Sequence, residues 1–395
     1  MARKDTPKQR RTELSRMLRE KGIERAVISN PKNIFYLTGF SSNLSPYKAI
    51  MKGQRPTAFL ALRDDGESSL LAGGSELGNA FTGSGGAPAV EGYDGGVALY
   101  RDYDLDVTMV PYANDQVAEV RAWLQTSVLA GRPRKVGIED WHLASIYEGA
   151  IRKASPDSGL VEISEMILEM RMTKGRDELE YIRQANRILD YAYKAARETA
   201  VAGKTEFEVF AQMNRAALER FGPLAVIASD VVSGPRSLEV GGPATKRRLK
   251  RGDTMILDAQ ATHNNYWSDT ARTFVVGAPS QRQKDIHGTL VAAKNLAAKM
   301  LKPGASASSV AGAIDEFLAE SRYPRMIHHA GHAVGLDDQE RPWLIRGARD
   351  KIEEDQAYVI EPGVYDREAG GIRVEDCYLV TSDGVEKVSR FSLDL

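Results

Sequence analysis

Apolar and polar positions alternate in blocks along this chain, and the period of the alternation switches between helical and strand-like several times. A charged stretch at 8–22 has apolar residues at helical spacing, and apolar runs follow at 25–29, 34–39 and 57–62, the last closing on the turn signal Asp64-Asp65-Gly66. These runs predict strands, so the first part of the chain reads as a small α/β domain. Residues 161–175 predict an inter-domain strand and connector. Beyond them a long helix is predicted over 176–200, with an acidic first turn (Asp177, Glu178, Glu180) and Leu179, Ile182, Ala185, Ile188, Leu189 and Ala192 on one face.

Capping boxes open two further helices, Thr205 with Glu208 and Ser280 with Gln283, which stop at Gly222 and at Pro303-Gly304. A fourth helix is predicted over 306–322. Strand candidates lie between them at 254–260, 271–276, 357–361 and 372–380, giving an α+β domain of long helices on a curved sheet. The helix–helix–strand order of 176–276 recurs loosely at 280–380. We expect an α/β domain over 1–165 and an α+β domain over 166–395, since 395 residues exceed one ordinary core.

Composition narrows the partners. Apolar residues at 42% and charged residues at 27% suit a folded protein, and a formal charge of −1 gives no global field for nucleic acid or an anionic membrane. The basic N-terminus has no apolar stretch after it and no window is apolar enough to span a bilayer, so we expect no export signal and no membrane partner. The single cysteine, Cys377, excludes an internal disulfide and a cysteine-rich zinc site, and fits a reducing, cytoplasmic location. The glycine-rich stretch 73–98 reads as a surface loop, and the basic run 246–251 as a solvated one.

The chemistry is concentrated in the C-terminal half. Asp258 and Asp269 each sit in an apolar strand pattern, and Asn264-Asn265 between them predicts a hairpin that brings the two carboxylates together. Buried acids so close repel unless a proton or cation lies between them. Three of the six histidines fall in the run His328 to His332, which ends in a glycine-containing segment up to Gly335. Glu361 and Glu375 each lie in or beside a short apolar strand, where a bare carboxylate is expensive. Four acids and one histidine, Asp258, Asp269, His332, Glu361 and Glu375, match a pair of divalent ions such as Mn, Co, Fe or Zn.

These segments, together with the run Asn33 to Phe40, resemble the creatinase and aminopeptidase P superfamily of metallopeptidases, which includes prolidases. The resemblance covers nearly the whole chain. It implies a pita-bread fold for the C-terminal domain, a homodimer, and two divalent ions per chain. Asp258 would bind one ion, Asp269 and Glu375 both, and His332 and Glu361 the second; Glu361 would also accept the proton of an activated water, and Arg373 would hold a carboxylate in place.

Two histidines of the family pattern are missing, with Gly241 and Gln339 in their positions. Gln339 still donates a hydrogen bond but carries no charge, and Gly241 does neither. His328 and Asp338 are the first substitutes to consider. The leading expectation is a metal-dependent amide hydrolase like an Xaa-Pro dipeptidase or aminopeptidase P, acting on a dipeptide. The second is a divergent hydrolase or lyase of a small non-peptide molecule, such as a dimethylsulfoniopropionate lyase, and the third a non-catalytic binding protein.

Overall fold

A computed structural model describes residues 5–40, 58–73, 105–110, 116–139, 143, 145–222, 225 and 227–395. The glycine-rich stretch lies almost wholly outside them. The chain forms two compact units, Met1–Arg171 and Met172–Leu395.

In the first unit, α1 (Pro7–Glu20) starts at a capping box in which Thr6 and Gln9 satisfy each other's backbone N–H groups. Strands β1 (Arg25–Ile28), β2 (Ala58–Arg63), β3 (Ser68–Gly73), β4 (Asp106–Val110), β5 (Lys135–Ile138) and β6 (Gly159–Glu162) form a mixed sheet in the order β4-β3-β2-β1-β5-β6. The apolar run at 34–39, expected as a strand, is instead helix α2 (Pro31–Thr38). Asn30 caps it, Pro31 takes the first turn where no N–H is needed, and Gly39 ends it at φ 78°. The caps decided an assignment that apolarity alone left to the strand.

Helices α3 (Gln116–Trp123) and α4 (Ser145–Ala154) complete the unit. The stretch 161–175, expected as a strand and connector, is corrected too. Only its first residues finish β6, and Ser164–Met172 is helix α5, with Met166, Ile167 and Met170 buried.

The second unit repeats one arrangement. Helices α6 (Arg176–Thr199) and α7 (Glu206–Phe221) pack on an antiparallel sheet of β7 (Ile227–Ser233), β8 (Thr254–His263) and β9 (Tyr266–Val275). Helices α8 (Gln281–Met300) and α9 (Ala307–Ala319) pack on a second sheet, ordered β11-β10-β12-β15-β16. Its strands are β10 (Gly331–Ala333), β11 (Glu340–Leu344), β12 (Ala357–Ile360), β15 (Asp376–Val380) and β16 (Val385–Lys387), with a hairpin of β13 (Gly363–Asp366) and β14 (Gly370–Arg373) alongside. Each half has its own apolar core, and the strands carry the acids to the line where the halves meet. Among the described residues no helix is long and apolar enough to cross a membrane.

Candidate metal centre

The turn between β8 and β9 has Asn264 at φ 50° and Asn265 at φ 68°, the left-handed pair that a two-residue hairpin requires. In the resulting register Asp258 faces Ala271 and Gln260 faces Asp269. The two acids therefore lie diagonally on one face of the hairpin, and Gln260 fills the diagonal. Its Nε2 donates to Asp258 Oδ1 and to Asp269 Oδ1, each at 2.8 Å.

His332 enters from β10, opposite Trp343 of β11 and Val359 of β12. Gly331 before it is obligatory, because a Cβ there would lie 2.0 Å from the Val359 carbonyl oxygen. The His332 Nδ1 sits 3.0 Å from the Ala333 carbonyl, which makes it the N–H nitrogen and turns the bare Nε2 toward the acids. Glu361 follows β12, its N–H donating to Ala330 O at 3.0 Å. Glu375 lies in a break between β14 and β15, where a single strand was expected over 372–380; its N–H donates 3.2 Å to Ala271 O on β9. That break joins the two halves.

All five side chains converge. Asp269, His332, Glu361 and Glu375 are buried, and atoms of Asp269, His332 and Glu375 lie within 4.8 Å of one another. His332 Nε2 is 3.8 Å from Asp269 Oδ2 and 3.5 Å from Glu361 Oε1. Those separations are too long for hydrogen bonds, but an ion with bonds of about 2.1 Å spans them. Glu361 Oε1 and Glu375 Oε2 have no hydrogen-bond partner.

Charge points the same way. Arg373 Nη2 stands 2.6 Å from Asp258 Oδ2, and among the described residues no other lysine or arginine pairs with the remaining three acids. Burial pushes the Asp269 and Glu375 carboxyls well above the ordinary range, and the acids around each push further. Burial raises Asp258 as well, against the pull of Arg373. Glu361 is the exception: burial raises it, but His329, His332 and His328 together hold it below its usual value. Four carboxylates, one guanidinium and two orphaned oxygens are what a cationic group would complete, so the donor set fits divalent ions.

The other expected residues divide. Arg373 is buried and also donates to Val240 O at 2.9 Å and to the Tyr365 hydroxyl at 3.1 Å. His328 lies beside Glu361, Nδ1 to Oε2 at 3.8 Å, with its Nδ1 2.8 Å from the His329 carbonyl and its Nε2 unpartnered. Asp338 and Gln339 are exposed in the turn between β10 and β11, outside this cluster. His263 packs on Tyr181 at 6.1 Å, and Cys377 is buried with its thiol pushed up to about 12 by that burial.

Three residues not singled out from sequence belong to the centre. His329 Nδ1 lies 2.9 Å from Glu361 Oε1, out of line for a hydrogen bond, and its ring packs on His332 and on Trp343 at 5.4 and 5.2 Å. The histidine cluster was the available signal, but it does not say which imidazole reaches Glu361. Gln260 is two residues along from Asp258 and hence on its face. Asp230 had no signal at all, because β7 is not among the strands read from sequence. It is exposed and paired with Asp258 across β7 and β8, and its Oδ2 would be 2.0 Å from a Cβ at Gly241. A carboxylate thus occupies the space where a side chain at 241 would begin.

Residues 180–382 match Metallopeptidase family M24, and residues 10–173 match the Creatinase/Prolidase N-terminal domain. An Xaa-Pro dipeptidase of Pyrococcus furiosus is 28% identical over 98% of this chain and 99% of its own length. One from Pyrococcus horikoshii is 31% identical over 66% of this chain and 75% of its own. The solved prolidase from Pyrococcus furiosus superposes with a TM-score of 0.77 at 26% identity, over 96% of this chain and 99% of that one. With a creatinase-type N-terminal domain followed along the sequence by a pita-bread catalytic domain, the chain belongs to metallopeptidase family M24 and is a metal-dependent peptidase.

Proposed function

We propose that this peptidase is an Xaa-Pro dipeptidase that works with two divalent ions, of which Mn, Co, Fe and Zn all suit the donors. The observation that carries the reading is the surplus of carboxylate over cation at Asp258, Asp269, Glu361 and Glu375, the last three of them buried. The names of full-length relatives support the substrate. Asp258 would hold one ion, His332 and Glu361 the other, with Asp269 and Glu375 shared. Bound there, the ions supply a water of lowered pKa and polarise the scissile carbonyl.

The remaining work falls to the chain. Glu361, kept ionised by its three histidines, takes a proton from the attacking water and returns it to the leaving proline nitrogen as the C–N bond breaks. Arg373 fixes Asp258. His328 and His329 offer imidazole nitrogens beside Glu361, and Trp343 walls that side. Asp338 and Gln339, exposed at the neighbouring turn, would meet the outer end of a substrate. A cytoplasmic homodimer is part of the same proposal, resting on the family resemblance and, for the compartment, on the single cysteine.

One observation favours a second reading. Where the family pattern has a histidine, this chain has Gly241 with the exposed Asp230 carboxylate pressed into its place. An anion there suits a small cationic substrate, an onium compound or an amino amide, better than it suits a neutral acyl chain. Both readings meet one experiment: load the purified protein with Mn or Co, count bound ions, and assay Xaa-Pro dipeptides beside small cationic amides and onium compounds. About two ions per chain with dipeptide turnover supports the first reading. Two ions with turnover only of the small cations supports the second, and fewer than one ion per chain overturns both.

A further inference from the structure

Gln260 is a neutral side chain that hydrogen-bonds two of the four acids. Register fixes it there: it faces Asp269 directly across the hairpin and shares the face of Asp258 two residues along its own strand. A primary amide has two N–H bonds on one nitrogen, and here each is spent on a different carboxylate, both at 2.8 Å. Asp258 is then held at both oxygens, Oδ1 by Gln260 and Oδ2 by Arg373 at 2.6 Å. Asp269 is held at Oδ1 alone, so its Oδ2 is left facing His332 Nε2 across 3.8 Å, the gap an ion would fill. A cationic, acidic or apolar side chain does this less well. A lysine would compete with the ion by charge, a carboxylate would add repulsion, and an apolar side chain would leave both acids without a donor.

We propose that Gln260 is a positioning residue of the metal centre, its amide holding Asp258 and Asp269 at ligand spacing before an ion enters and remaining an outer donor to both afterwards. The proposal rests on the metal reading above. It makes the ion bind an assembled pair rather than one it must first collect.

The test uses the full chain with Gln260→Met, which keeps length without a donor, and Gln260→Ser, which leaves room for a water to donate. Mn affinity is measured by competition with a chelator, and the visible absorption of the Co-loaded protein reports ligand geometry. Gln260→Met is expected to weaken one of the two ions about 10- to 100-fold, the range for loss of an outer-shell partner, and to change the Co spectrum. Gln260→Ser should recover part of both. Should Gln260→Met not fold, Gln260→Ser decides alone against wild type. Equal or tighter Mn binding with an unchanged Co spectrum would make Gln260 a placeholder that the ion displaces, and would overturn the proposal. Wild type that takes up no ion removes the metal reading and this one together, whereas wild type and variants loading equally removes this one alone.

Discussion

Glu375 and Asp376 are neighbours in sequence, both fully buried acids, Glu375 in the break before β15 and Asp376 the first residue of that strand, and their surroundings are opposites. Asp376 is saturated. Arg272 donates to it at 2.9 Å, Ser389 at 2.8 Å and Lys387 at 3.5 Å, and Lys294 closes the set. Burial pushes its carboxyl up, but Arg272, Lys294 and Lys387 outweigh that and hold it below the ordinary value. Glu375, on the other side of the backbone, faces Asp258 and Glu361, and its Oε2 has no partner. A buried carboxylate surrounded by the protein's own cations is a finished structural element. One surrounded by further carboxylates is unfinished, and what completes it must come from outside the chain.

The comparison can be broken by exchanging the two roles. The largest effect is expected from Glu375→Gln, which removes a donor that the proposed reading assigns to both ions. An ion supplies several kcal/mol of charge stabilisation, so peptidase turnover should fall on the order of 10³-fold. The fold should survive, because a repelling acid has gone; circular dichroism together with a steady-state assay checks both halves of the expectation. Asp376→Asn should do the reverse. It leaves Arg272 and Lys294 buried without their anion, which costs about 3–5 kcal/mol, seen as a lower urea midpoint, while metal content per folded molecule stays that of wild type.

The smallest effect is a difference in pH dependence, measured on chelator-treated protein. Glu375 and Asp269 have folded values above their unfolded ones. Their contribution is present below the unfolded carboxylate range of about 4 and is lost as pH rises through the folded values. Asp376 has a depressed folded value, so its contribution is present above the ordinary range and lost only as pH falls through that lower value. Melting temperatures of the metal-free protein should therefore drop as pH rises from about 4 toward neutrality. Saturating Mn should abolish the drop, and Glu375→Gln should flatten it. A metal-free profile that is level over that range would remove the contrast between the two sides of β15.

Much of this was legible in the chain. The capping boxes at Thr205 and Ser280 and the apolar stripe from Leu179 to Ala192 place α6, α7 and α8 because caps and helical periodicity act within a few residues. The apolar run at 34–39 is a helix rather than the strand its apolarity suggests because local signals conflict there: apolarity leaves the assignment open, whereas Asn30, Pro31 and Gly39 settle it. The five converging side chains were also legible, from the four acids and one histidine taken together and from the superfamily whose order of motifs they follow.

Sequence alone therefore determined the inventory: which acids stand in apolar strand patterns, and the superfamily whose order of motifs they follow. Tertiary structure decided the pairing. That Gln260 rather than either acid's neighbour fills the diagonal follows from hairpin register, and that His329 reaches Glu361 follows from the packing of β10 against β11 and β12. Asp230 comes to Gly241 only because β7 lies beside β8. Glu375 and Asp376 are the sharpest case. One peptide bond separates them, and only the residues packed around each decide that one is neutralised by the chain and the other is not.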